Sequence, residues 1–325
     1  MIIVTGGAGF IGSALVWRLN KRGIDDIVVV DHLGKTEKWK NLVSLCFSDY
    51  FDKSDFIERL EAGYFGNSIS AIFHLGACSS TTETNADYLI ENNYRYTARL
   101  ATWQEKHRTC RFIYASSAAT YGEGEQGYRD TEDELHLLRP LNMYAYSKHM
   151  FDLLALRKGW LPHIAGLKYF NVFGPNEYHK GDMRSLINKA YPLVRDEGKI
   201  RLFKSYRDEY KDGEQLRDFI YVKDAVDMTL FFLDNPRING IFNIGSGAAR
   251  SWNEVAASLF QAVGRPLNIE YIPMPDELKE KYQYYTCADM TKLRSAGCSH
   301  TCMDLDAAVK EYVQGYLDSN KHLSS

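Results

Sequence analysis

Tyr144 and Lys148 stand four residues apart in Pro140-Leu-Asn-Met-Tyr144-Ala-Tyr-Ser-Lys148, a spacing that puts both on one face of a helix. A phenol has a pKa near ~10, too high for a base at neutral pH. A neighbouring ammonium favours the phenolate, so the pair predicts a lowered pKa for Tyr144 and proton exchange with a substrate hydroxyl. The pattern alone recurs by chance. It gains weight from Ala115-Ser116-Ser117-Ala118-Ala119-Thr120-Tyr121-Gly122, where Ser117 ends a strand-like run and can hold a substrate oxygen in line with the phenol.

A second pattern says what would sit beside them. Gly6-x-x-Gly9-x-x-Gly12, which also contains Gly7-x-Gly9-x-x-Gly12, follows the apolar run Ile2–Thr5 directly and opens a helix-like stretch. Glycines there permit a tight turn and let backbone N–H groups approach a pyrophosphate at the positive end of the helix. Asp31 ends the next strand-like run, the place from which an acid bonds the adenosine ribose. These are the marks of a dinucleotide site. Asp31 favours NAD and repels a 2′-phosphate, whereas His32, Lys35, Lys38 and Lys53 close by favour NADP. The residues alone leave the two cofactors even. With an oxidised nicotinamide in place, a second positive charge would favour the Tyr144 phenolate.

The elements that must carry these groups follow from the apolar pattern. Ile2–Thr5, Ile27–Asp31, Ala71–Leu75, Phe112–Ser116 and Ile164–Phe170 are short runs rich in β-branched or aromatic residues, with helix-length stretches between them. Near-continuous apolar strands alternating with helices predict a parallel sheet covered on both faces, the doubly wound α/β arrangement of a Rossmann domain. Ile11, Leu15 and Leu19 share one helix face, and Gly23 marks its stop. The domain is expected over 1–172, with 217–246 returning to it. A smaller mixed α/β lobe is expected over 173–216 and 247–325, with helices over Val255–Val263 and Leu305–Leu317. Lys204–Gln215 is almost wholly polar and reads as a solvated loop with no chemistry of its own.

Composition closes other classes. The 325 residues carry 39 basic and 42 acidic side chains, a net charge of −3, which gives no footprint for nucleic acid or an anionic membrane. Small-molecule partners are expected. No apolar run approaches the ~18 residues of a membrane span. Met1–Val4 runs straight into the glycine loop without a basic leader and cleavage site, so a cytoplasmic location is expected. The six cysteines show no paired framework. Cys298-Ser-His300-Thr-Cys302 has too few ligands for a tetrahedral site, so no metal is expected.

Taken together the chain resembles the extended short-chain dehydrogenase/reductase family, which acts largely on nucleotide sugars. Further matching segments are His74-Leu-Gly-Ala77, Asn92, Tyr169-Phe-Asn171-Val-Phe-Gly174-Pro175, Arg217-Asp-Phe-Ile-Tyr221-Val222 and Phe242-Asn-Ile-Gly-Ser-Gly247. Within the family, Gly76-Ala-Cys-Ser-Ser-Thr-Thr-Glu83, His179-Lys180-Gly181 and Tyr271-Ile-Pro-Met-Pro-Asp276 with Tyr282-Gln283 are most similar to the branch that inverts C6″ of an ADP-linked heptose for the lipopolysaccharide inner core.

That resemblance implies a homo-oligomer and a tightly held NADP, with NAD the alternative. Gly6, Gly9, Phe10, Ile11 and Gly12 would hold it, with Asp31, His32, Lys38 and Lys53 about the adenosine phosphate. Leu75, Gly76, Ala77, Cys78, Ser79, Asn92, Val172, Tyr144, Lys148 and Lys180 would complete its contacts. Lys180 would act as a second acid/base beside Tyr144. Ser117, Asn171, Asp182, Lys189, Phe203, Tyr282 and Arg217, the last on the diphosphate, would meet the sugar nucleotide. Asp182, Lys189 and Lys204 depart from the residue types of that branch, which leaves the sugar nucleotide less fixed than the reaction type. A 4,6-dehydratase would carry Asp-Glu where this chain has Ala118-Ala119. A UDP-hexose 4-epimerase is the alternative, opposed by His179-Lys180-Gly181. A dinucleotide-binding sensor without turnover would not need both Tyr144 and Lys148.

Overall fold

The computed structural model describes residues 1–279 and 282–324; Glu280, Lys281 and Ser325, inside the range expected for the second lobe, lie outside the described residues. All five expected apolar runs form strands: β1 (Ile2–Thr5), β2 (Ile27–Asp31), β4 (Ala71–His74), β5 (Arg111–Ser117) and β6 (Ala165–Tyr169). β3 (Asp49–Asp52) was not legible, because only Phe51 of its four residues is buried. With β10 (Gly240–Ile244) these make a seven-stranded sheet in the order β10-β6-β5-β4-β1-β2-β3, parallel throughout. The strand order reverses at β1, so the C-terminal edges of β1, β4 and β5 open onto one crevice.

Of the stretch 217–246, the helix Val222–Asp234 packs on the glycine-loop helix Phe10–Lys21, and β10 pairs with β6. Its first strand does not join them. β9 (Leu216–Tyr221) lies in a separate three-stranded sheet between β7 (Asn171–Phe173) and β11 (Ala249–Ser251). β8 (Ile200–Phe203) and β12 (Ile269–Ile272) form a parallel pair. The helix Trp252–Val263 begins with a reciprocal cap between Ser251 and Glu254 and ends at Gly264 in the left-handed region. One continuous apolar core runs from Ile2 to Leu323 and joins the two parts.

Where the small sheet meets the large one, the backbone donors converge on a single carboxylate. Asp218, fully buried, accepts from Ser246 N (2.7 Å), Ser246 Oγ (2.7 Å), Gly247 N (3.0 Å) and Ala288 N (2.9 Å). Burial pushes its pKa up, and those hydrogen bonds work against the shift. Removing the acceptor strands the buried Ala288 N, at about 1–3 kcal/mol, and frees the partly exposed donors of Ser246 and Gly247. Asp218→Ala is expected to lower the free energy of unfolding by about 2 kcal/mol in urea titrations.

Candidate active site

The glycine loop closes on itself. Gly6 has φ +69°, and a Cβ there would fall 2.6 Å from Gly76 N; a Cβ on Gly12 would fall 2.1 Å from Gly6 O. Only hydrogen fits at either place. Asp31 braces this loop, its Oδ2 accepting from Ala8 N at 2.9 Å. Its Oδ1 takes His32 N and the Lys38 ammonium, both at 2.7 Å. The acid is therefore already neutralised by Lys38. Lys53 Nζ donates to Asn92 Oδ1 at 2.5 Å. Thr5, Gly6, Asp31, Lys38, Lys53 and Asn92 share a cleft that Gly76 and Ala77 also line, and this is where a dinucleotide's adenosine end would lie. Its two lysines and the side-chainless loop suit an anionic group of that kind.

On the other side of the crevice Asn142 caps the helix Met143–Arg157 by accepting from Ala145 N. This sets Tyr144 in its first turn and Lys148 one turn on. Ser117, at the end of β5, accepts from Ala119 N at 3.1 Å, and its hydroxyl acts to lower the pKa of the Tyr144 phenol. Lys148 Nζ donates to Ala115 O at 2.8 Å. Burial pulls the Lys148 pKa down to about 8, opposed by Asp152 one turn further along the helix.

The expected lowering of the Tyr144 pKa counts the nicotinamide charge together with the ammonium. In the protein alone burial pushes it up, Cys78 adds to that, and the Ser117 hydroxyl opposes. The Lys148 ammonium is engaged by the Ala115 carbonyl instead. A resting Tyr144 is thus a protonated acid, and it needs further positive charge to become a base.

Asn93, which sequence reasoning missed, ties the two sides together. Fully buried, it donates to Ser147 Oγ (3.0 Å) and Cys78 O (2.9 Å) and accepts from Cys78 N (2.8 Å). The only signal was an Asn-Asn pair in a helical stretch. His74 is held between Thr5 Oγ1 (2.6 Å) and Thr97 Oγ1 (2.8 Å), kept neutral by burial. Leu75, Cys78 and Val172 are half-buried, and Ser79 is exposed.

Lys180 sits in the 3₁₀ turn Tyr178–Met183, its ammonium 5.2 Å from the ring centre of Phe10, the first residue of the glycine-loop helix. Burial lowers its pKa, and Glu177 opposes. The fold therefore brings this lysine to the dinucleotide side from over 160 residues away in the chain. Ile11 follows Phe10 on the same first turn.

Arg217 is buried and pairs with no carboxylate among the described residues. It donates to the carbonyls of Leu216 (2.9 Å) and Gln283, and lies 5.1 Å from the ring centre of Tyr282. Burial lowers its pKa, while the tyrosines Tyr282, Tyr128 and Tyr210 raise it. A buried guanidinium without a counter-ion suits an anionic ligand. Phe203 packs edge-on against Tyr282, ring centres 6.5 Å apart. Asn171 donates to Asp218 O at 3.2 Å. Asp182 and Lys189 are exposed and meet each other, Lys189 Nζ donating to Asp182 O at 3.1 Å. The polar loop 204–215 is not merely solvated: Arg207 pairs with Glu123 at 3.2 Å and stacks 4.5 Å from Tyr284. The Cys298–Cys302 segment gains Asp224, whose Oδ1 takes His300 Nε2 at 2.9 Å near Cys302; a hydrogen-bonded His–Asp pair accounts for that grouping.

Residues 2–245 match the NAD dependent epimerase/dehydratase family, and the chain belongs to it. It is 53% identical over 317 residues to a protein of Nitratidesulfovibrio vulgaris (strain DP4) named ADP-L-glycero-D-manno-heptose-6-epimerase, covering 98% of each chain. A protein of the same name from Fusobacterium nucleatum subsp. nucleatum is 47% identical, again over 98% of each. The crystal structure of the Helicobacter pylori ADP-L-glycero-D-manno-heptose-6-epimerase superposes with a TM-score of 0.80 at 27% identity, covering 97% of this chain and 95% of that one. Among the described residues no helix is long and apolar enough to cross a membrane.

The buried Lys148 makes stability depend on pH in a defined sense. Between about 8 and the free-lysine value of 10.5 the unfolded chain holds this proton and the folded chain does not. In cofactor-free protein, wild type is therefore expected to gain stability relative to Lys148→Met as pH rises from 8 to 10.5, measured by denaturant unfolding at each pH.

Proposed function

We propose that this chain inverts C6″ of ADP-D-glycero-D-manno-heptose to give ADP-L-glycero-D-manno-heptose for the lipopolysaccharide inner core, using resident NADP. The observation that carries the reading is Lys180 poised over Phe10, a second proton-transfer group in addition to Ser117, Tyr144 and Lys148. The full-length similarity to proteins of that name supports it.

A carbinol carbon with no acidic C–H neighbour is inverted by loss of hydride to give a ketone and return of hydride to the opposite face. The bound nicotinamide supplies the hydride acceptor and donor. Ser117 Oγ holds the reacting oxygen beside the Tyr144 phenol, which takes or gives the hydroxyl proton for one orientation of the keto sugar. Lys180 Nζ serves the other orientation, so neither group has to cross the substrate. The positive charge of an oxidised nicotinamide would oppose the burial that keeps Tyr144 protonated at rest, with Lys148 held behind it on the Ala115 carbonyl. Arg217 grips the diphosphate, Tyr282 and Phe203 wall the nucleotide side, and Asn171 meets the sugar. Lys38 neutralises Asp31, which removes the repulsion a 2′-phosphate would otherwise meet, and Lys38 and Lys53 then favour NADP over NAD.

Purified protein, its released dinucleotide identified, is incubated with the ADP-linked heptose and C6″ followed by NMR. Inversion is expected; no inversion, with turnover of a UDP-hexose instead, would overturn the reading. Tyr144→Phe and Lys180→Ala should each fold and keep the dinucleotide yet lose about 10²-fold or more in kcat. Lys38→Ala should weaken NADP binding about tenfold and NAD binding far less in competition titrations, one charge at the 2′-phosphate being worth about 1.4 kcal/mol.

A further inference from the structure

The turn that presents Lys180 is anchored on a carboxylate that the scheme above leaves unused. Glu177 is wholly buried. Its side chain accepts from Gly174 N (3.3 Å), Ser185 N (2.5 Å), Ser185 Oγ (2.6 Å) and the Tyr312 hydroxyl (3.0 Å).

The direction of these bonds fixes its charge. Asn188 Nδ2 donates to the Tyr312 hydroxyl at 2.6 Å, so that hydroxyl's own proton points to Glu177. Asn188 N donates to Ser185 Oγ at 3.2 Å, with the same consequence for Ser185. Every partner is a donor, and an acceptor-only carboxylate is the form they fit. Burial pushes the Glu177 pKa up, but the Ser185 and Gly174 hydrogen bonds and Lys180 oppose that shift.

Glu177 also reaches Lys180 through the backbone, since Lys180 N donates to Glu177 O at 3.0 Å. The groups bearing on the lysine are few. Glu177 and His179 come from its own turn, and the Phe10 ring from the glycine-loop helix. His179 is held neutral, its pKa brought to about 4 by burial and by the ammonium groups of Lys38 and Lys180. Glu177 is the anion that bears on Lys180.

We infer that Glu177 is a positioning residue for Lys180: its carboxylate pins the turn against the first turn of the helix Leu186–Glu197 and keeps the half-buried lysine able to give a proton as well as take one. A group that serves both directions of an inversion must hold its proton loosely but not lose it. Tyr312, from the helix Leu305–Tyr312 near the C-terminus, completes the anchor. The inference rests on Lys180 being the second acid/base.

The test compares holoenzymes of Glu177→Gln, Tyr312→Phe and Lys180→Ala, with C6″ inversion followed across pH. Glu177→Gln is expected to keep its dinucleotide and to lose about tenfold or more in kcat, with KM for the nucleotide sugar within about threefold. The limb of the pH–kcat profile that disappears in Lys180→Ala should move to lower pH, because the anion whose charge bears on the ammonium has been removed. Tyr312→Phe should move it the same way by less. An unmoved limb with near wild-type kcat in Glu177→Gln, while Lys180→Ala is dead, overturns the inference and leaves the two-base reading standing. A fully active Lys180→Ala overturns that reading itself. Should Glu177→Gln not fold, an unmoved limb in both Tyr312→Phe and Ser185→Ala is the overturning result.

Discussion

The site is built outward from a close approach between two stretches of backbone. With no side chain on Gly6 or Gly12, the loop turns tightly enough for the helix behind it to start directly under the sheet edge. Once closed, its exposed peptide groups become attachment points. Ala8 N binds Asp31, which in turn holds Lys38. Ala8 O binds Asn41, whose amide also reaches Asn176 O at 3.1 Å and whose carbonyl takes His322 at 2.7 Å. The segment bearing His179 and Lys180 is thereby hung on the same loop that would cradle the pyrophosphate. Cofactor loop and second lysine keep a fixed relation because they share a hydrogen-bonded neighbour.

Four cations are wholly or partly taken out of water around this crevice, and each is handled differently. Lys168, with no exposure, is balanced by Asp152 at 3.6 Å and donates to Thr120 at 2.7 Å. That network also takes in Tyr114 and Ser116 of β5, and it gives the strand a rigid back. Lys148 and Lys180 have no close carboxylate contact and rest on a carbonyl and on an aromatic face. Arg217 is left among tyrosines. A buried charge without a partner costs several kcal/mol, and a fold carries that cost where a ligand supplies the missing charge or where a labile proton is useful. The paired cation is structural; the three poorly paired ones are those to which the proposed function gives a task.

Most of the large sheet was legible because buried parallel strands write themselves as apolar runs, as Ile27–Asp31 and Ala71–His74 do. β3 was not, since an edge strand needs only Phe51 inward. The Tyr144–Lys148 spacing gave the helix face correctly but not the phenol's burial, since spacing reports proximity alone, nor the Ala115 carbonyl on which the ammonium rests. Asn93 escaped notice because a buried amide clamp has no spacing rule. Nor can a pattern of types show that Arg207 crosses to Glu123, a contact set wholly by how two distant loops meet.

The edge of the large sheet is finished by a strand made late. β6 pairs with β5 on one side and with β10, some seventy residues further along the chain, on the other. While the polypeptide is being synthesised, β6 therefore has an open edge until residue 244 has emerged, a long interval in which it can recruit a strand from another chain. The seven-stranded sheet is consequently not complete with the N-terminal half alone. Its completion waits on sequence that lies beyond the whole of β7, β8 and β9.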